Sequence, residues 1–238
     1  MVGQLVLRRE KGRFQVEEAR LGPLPVLRAA VYQPEGLAPW RLRRRLRRVE
    51  RALARMGAGR VILGADFPYG DRLTLLCPVD PLPFWRGCAD VLALGALETE
   101  GIPLRRGRVA LSAPRLCRPL MAAAERLCPQ VRDVLIDVPG GADYARYLQA
   151  RFGLPVAPPG LGADVTAAFG PGGGRWGRSL ELHGRAELGG LTVWARDIAL
   201  PGDCGGQVLA LLWERGLVRR EELLAGEAGA CGFFPSGA

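Results

Sequence analysis

Between Arg108 and Pro171, short apolar runs alternate with helix-period patterns. Arg108–Leu111 reads as a strand. Pro119 fits the first turn of a helix with Leu120, Ala124 and Leu127 on its inner face. Val131–Val138 reads as a strand buried on both faces. Gly140 and Gly141 open a helix with Tyr144, Leu148 and Phe152 spaced by four, and Gly153 closes it. Leu154–Ala157 and Asp164–Phe169 complete the series as strands. This rhythm predicts a parallel sheet with helices on its faces.

The rest of the chain is arranged around that stretch. Gln4–Arg9 and Arg13–Ala19 flank Glu10-Lys11-Gly12 and predict a hairpin. Leu24–Tyr32 reads as a short or edge strand, because Pro23, Pro25 and Pro34 bound it. Pro39–Met56 carries the clearest helical stripe, formed by Leu42, Leu46, Val49, Leu53 and Met56. Arg60–Ala65 reads as a buried strand ending at Asp66. Phe84–Glu98 reads as one helix, stopped by Gly101 and Pro103. Leu180–His183 and Leu191–Ala195 read as strands. Asp203 is a plausible N-cap for a helix over Cys204–Arg215, and a second short helix is predicted over Arg219–Leu224.

The predicted fold class is α/β: a Rossmann-like, mostly parallel sheet with flanking helices, plus a small N-terminal β layer and one long Arg-rich helix. The expected organisation is residues 1–58 for the β layer and helix, 59–225 for the α/β domain, and 226–238 for a frayed tail.

Composition narrows the function less than the fold. The chain has 238 residues, 48% hydrophobic and 24% charged, as in globular proteins. No apolar run suits a signal peptide or a membrane span, so a soluble cytoplasmic protein without a membrane partner is expected. Net charge is +9, which suggests a nucleic-acid or other acidic partner. Yet Lys11 is the single lysine and asparagine is absent. That composition resembles a coding bias toward Arg, so the nucleic-acid reading is the weaker expectation. The helix over Pro39–Met56 bears Arg41, Arg43, Arg44, Arg45, Arg47, Arg48, Arg51 and Arg55. A solvated face is favoured there over a phosphate-binding or scaffold surface. The six cysteines match no zinc template, and no metal is expected.

The order strand, turn, helix, strand, helix, FGLPV, ADVTAAFGP resembles an NAD(P)-binding Rossmann domain. It is most similar to the C-terminal domain of the shikimate dehydrogenase-like oxidoreductases, over about 65 residues and in element order more than in motif letters. The resemblance implies a dinucleotide on the first βα turn. There Ser112, Pro114 and Cys117 stand where three glycines belong, and Pro114 has no N–H to offer a phosphate. The resemblance also gives Asp137 a ribose-binding role, against the plainer reading of a strand-end carboxylate. Arg115 and Arg118 are candidates for a phosphate clamp. Gly170 opens the loop that the family keeps beside the nicotinamide. NAD(P) is therefore possible but disfavoured, and the cofactor is left unassigned.

Asp66 is a further candidate, because open α/β sheets bind ligands at strand C-termini; an ordinary turn residue is the plainer reading. GPGGGRWG, residues 170–177, reads as a flexible connector in preference to a phosphate-cradling loop, since it lacks the lysine and Ser/Thr of a P-loop. His183, the only histidine, reads as structural, and Cys204 is a candidate reactive thiol in a helix first turn. The leading expectation is a non-catalytic or divergent nucleotide- or small-anion-binding protein, with Asp66, Ser112, Arg115, Asp137 and Gly170 around its ligand crevice. A divergent NAD(P)-dependent oxidoreductase and a scaffold or nucleic-acid-associated protein are the alternatives.

Overall fold

A computed structural model describes residues 1–64, 66–153, 162–172, 176–200 and 204–227. The chain forms two units, Met1–Pro81 with Asp197–Val218, and Leu82–Arg196 with Arg219–Ala238. The architecture is α/β, with parallel-strand sheets flanked by helices.

The first unit is built on β1 (Val2–Arg8), which pairs in parallel with β3 (Leu24–Tyr32) on one side and β4 (Arg60–Leu63) on the other. β2 (Val16–Leu21) lies antiparallel outside β3, and β5 (Cys77–Pro78) lies parallel outside β4. The order is β2-β3-β1-β4-β5. The hairpin is therefore one strand later than expected. Glu10-Lys11-Gly12 does not join paired strands; the tight turn is Gly22-Pro23, between Leu21 and its partner Leu24. Gly22 has φ 59, the left-handed first position that a type II′ turn requires. β3 is an interior strand because Pro25 precedes the ladder to β1, which begins at Val26.

α1 (Pro39–Arg55) covers this sheet. Leu42, Leu46, Val49 and Leu53 are buried, and they cluster with Leu5, Leu27, Ala29 and Val61 of the strands. Met56 falls off the stripe as the exposed C-cap, and Gly57 follows with φ 84. Glu50 is 1% exposed. Its Oε1 accepts the backbone N–H groups of Thr74 at 2.7 Å and Leu75 at 2.9 Å. α6 (Gly205–Glu214) belongs to the same unit. Its Gln207 amide accepts from the Leu63 N–H and donates to the Leu63 carbonyl, extending the hydrogen bonding of β4. Arg60 donates to Glu214 through Nη1 and Nη2 of its guanidinium, an interaction that raises the Arg60 pKa. Because β4 pairs with β1, the first unit runs past residue 58.

The second unit opens with α2 (Leu82–Gly87) and α3 (Ala89–Thr99), two helices where one was expected; the break falls at Cys88. β6 (Arg108–Ser112) pairs in parallel with β7 (Asp133–Asp137) and β8 (Val165–Ala168), and β8 with β9 (Arg178–Glu181). α4 (Arg118–Leu127) links β6 to β7, and α5 (Ala142–Phe152) follows β7. Gly153 caps α5 in the left-handed region, at φ 67. Val109, Ala110, Leu111 and Leu135 are fully buried, which explains their continuous apolar runs. The expected strand Leu154–Ala157 lies outside the described residues.

β10 (Leu191–Ala195) pairs antiparallel with β11 (Leu223–Glu227). The helix expected over Arg219–Leu224 is only a 3₁₀ turn, Arg220–Glu222, leading into β11. Gly226 and Glu227 therefore belong to a strand, and residues 228–238 of the expected tail lie outside the described residues. Asp90 of α3 is completely buried and meets Arg126 at 3.3 Å and Arg220 in closer contact.

Both units repeat one strand order. By appearance in the chain, the parallel strands run second, first, third, fourth in β3-β1-β4-β5 and again in β7-β6-β8-β9. Each sheet therefore reverses direction of growth next to its first parallel strand.

Candidate functional site

Open parallel sheets bind ligands outside the C-terminal ends of their strands, where the strand order reverses. In the first unit that place is the end of β1 beside β4. A cavity of about 310 Å³ lies there. Leu7 and Arg9 line it from the end of β1, Gln33 and Glu35 from the turn after β3, and Pro68 and Tyr69 from the loop after β4. Three separate crossings of the sheet edge thus meet in one crevice.

Local geometry holds these side chains in place. The Gln33 N–H donates to the Arg8 carbonyl at 2.7 Å, continuing the β1–β3 ladder by one residue. The Leu37 N–H donates to the Pro34 carbonyl at 3.2 Å, closing a turn with Gly36 at φ 71 and Glu35 at its tip. Tyr69 Oη donates to Gln33 Oε1 at 2.8 Å. The Tyr69 ring meets Phe67 edge-on at 5.8 Å and carries the Arg72 guanidinium 5.2 Å from its centre. Arg9 is exposed at the mouth.

Asp66 follows β4 in the same unit, is exposed, and precedes Pro68 and Tyr69 in the loop without lining the crevice. The other expected site residues lie in the second unit. Ser112 ends β6, is 1% exposed, and donates its hydroxyl to the Gly172 carbonyl at 3.3 Å. Asp137 ends β7 in register with Ser112, and its carbonyl accepts the Ala113 N–H at 3.3 Å. Gly170 follows β8 and faces the Pro114 ring. Arg115 is exposed in the turn. The fold brings Ser112, Asp137 and Gly170 to one sheet edge, and there the Pro114 ring fills the space in front of Gly170. Arg86 donates to the Phe169 carbonyl at 3.1 Å and the Leu182 carbonyl at 2.7 Å, tying the ends of β8 and β9.

His183 Nε2 lies 2.8 Å from Glu181 Oε2, and Ser179 Oγ donates to Glu181 Oε1 at 3.0 Å. Serine and histidine both address the carboxylate and not each other, so they do not form a nucleophile–base pair. Cys204 is the buried N-cap of α6 and not a first-turn residue. Burial pushes the Cys88 thiol up to about 12 and the Cys128 thiol up to about 11. Among the described residues, no three metal-binding side chains cluster, and no helix is long and apolar enough to cross a membrane. Residues 173–175 of the glycine-rich loop lie outside the described residues. On its described part, the Thr166 hydroxyl donates to the Trp176 carbonyl and accepts its N–H.

Sequence reasoning named Asp66 but not Arg9, Gln33, Glu35 or Tyr69. Their signal was the strand order alone, because they follow three different strands, Arg9 after β1, Gln33 and Glu35 after β3, and Tyr69 after β4. No protein-family model matches the chain, and no curated protein matches it.

Proposed function

We propose that this is a non-catalytic binding protein for a small anionic ligand of mononucleotide size or less, held over the C-terminal edge of the first parallel sheet. The observation that carries the reading is the coincidence of the crevice with the reversal of strand order between β1 and β4. Its volume lies at the low end of the roughly 300–1,000 Å³ of small-molecule sites, which suits a mononucleotide better than a dinucleotide. Arg9 supplies the guanidinium for a phosphate or carboxylate. Glu35 suits hydroxyl or amino donors, and Gln33 and Tyr69 add fixed polar groups above Leu7.

A divergent NAD(P)-dependent oxidoreductase of the shikimate dehydrogenase-like kind has less behind it. The glycine positions of the second sheet are occupied by a buried serine and by a proline packed against Gly170. A thermal-shift series with AMP, ATP, NAD, NADP and inorganic phosphate at millimolar concentration tests the proposal. AMP or phosphate is expected to raise the melting temperature, and Arg9→Ala to remove the rise. No shift with any of them overturns the reading, and a shift with NAD alone that survives Arg9→Ala favours the oxidoreductase.

A further inference from the structure

The exposed face of α1 is an arginine surface. Arg41, Arg43, Arg44, Arg47, Arg48, Arg51 and Arg55 are exposed, and among the described residues no carboxylate pairs with any of them. The helix has one carboxylate, Glu50, and that is buried and bonded to the Thr74 and Leu75 N–H groups. Successive arginines at i and i+4 repel each other, and arginine in the first turn opposes the helix dipole. A polyanion laid along this face would relieve both.

The surface is also concave and carries aromatic rings. A groove of about 740 Å³ runs beside Arg44, Arg47, Arg51 and Arg55, with Phe14 and Trp40 in its walls. Arg48 stacks 5.4 Å over the Phe14 ring. Trp40 is 60% exposed at the start of the helix. Arg44 to Arg55 spans roughly 16 Å at 1.5 Å per residue. The apolar stripe of α1 is spent on the core, so the helix has no free face to insert into a lipid surface.

From the groove, the rings and the unpaired guanidinium row together, we infer that α1 binds single-stranded nucleic acid. The arginines track the phosphates and Trp40 stacks a base. This site is separate from the crevice at Arg9 and does not depend on it.

The test is fluorescence anisotropy of a labelled mixed-sequence 12-nucleotide strand, with the full chain, across a salt series from about 50 to about 300 mM NaCl. A steep loss of affinity with salt is expected, and contact with about four phosphates gives a log–log slope near −3. The triple variant Arg44→Glu, Arg47→Glu, Arg51→Glu should abolish binding. A matched triple, Arg105→Glu, Arg106→Glu, Arg185→Glu, changes net charge equally on exposed sites elsewhere and should retain it. Trp40→Ala should weaken binding roughly tenfold and is the informative variant if the α1 triple misfolds. Absence of binding at about 50 mM NaCl, equal loss in both triples, an unchanged Trp40→Ala, or preference for a duplex of the same sequence each overturns the inference.

Discussion

A β-carbon placed on Gly170 would lie 2.4 Å from Cδ of Pro114. The proline ring occupies the ground over the β6–β8 edge where a Rossmann turn leaves its backbone open. Gly170→Ala is therefore expected to lower stability by about 1–3 kcal/mol. The clash needs both partners, so Pro114→Ala together with Gly170→Ala should recover much of the loss. Urea midpoints of the two single variants and the double variant measure the coupling, and simple additivity would show that the contact carries no strain.

Glu50 performs a structural task within a basic helix. Replacing it by alanine strands the Thr74 and Leu75 N–H groups and should cost about 1–3 kcal/mol. Glu50→Gln keeps an acceptor oxygen and should cost less. Denaturant unfolding of both variants checks the order.

Arginine repulsion on α1 makes the opposite forecast at a neighbouring site. Arg47→Glu places a carboxylate four residues from Arg43 and from Arg51. Stability should rise by about 0.5 kcal/mol at low salt, and the gain should fade as salt is added. Loss of stability at low salt would mean that Arg47 has a packing role that its exposure does not reveal.

Asp90 is completely buried between two guanidinium groups from separate elements. Burial lowers the pKa of both Arg126 and Arg220. Asp90→Ala leaves them facing each other without a carboxylate and should cost on the order of 3 kcal/mol, with Asp90→Asn costing less. Thermal melts rank the variants; an alanine variant as stable as wild type would refute the role.

Alkaline pH should destabilise the fold through its buried thiols. The Cys88 pKa is raised by burial from 9.0 to about 12, and burial raises Cys128 and Tyr144 in the same direction. Above pH 9 the unfolded chain releases protons that the folded chain retains, so stability falls as pH rises. The contribution is complete below the unfolded value and is lost as pH climbs toward the folded one. Urea unfolding between about pH 8 and about pH 11 should show this decline, and Cys88→Ser should flatten it.

Legibility in the sequence followed the range of the interaction. Leu42, Leu46, Val49 and Leu53 announced α1 because a helix buries residues at its own period. The continuous runs of β6, β7 and β8 were visible for a similar reason, being buried on both faces. Pairing partners were not visible. Glu10-Lys11-Gly12 has local turn chemistry, yet β1 bonds to strands that begin at Leu24 and Arg60. Arg60–Leu63 looked like the opening of the later sheet, because its apolar run carries no mark of which neighbour it will join. The break at Cys88 and the strand at Leu223–Glu227 were also hidden. Arg9, Gln33 and Tyr69 share no spacing, and only the strand order assembles them.

The placement of α6 sets a schedule for the nascent chain. Gln207 and Glu214 complete the edge at Leu63 and Arg60, but residues 82–196 of the other unit must be synthesised before they exist. At roughly 5–20 residues per second that interval is on the order of 6–23 s. During it the first sheet emerges from the ribosome without its last helix, while the sequence of the second unit is still arriving. The protein's N-terminus is thus among the last parts to mature, and chaperone demand should concentrate on that interval.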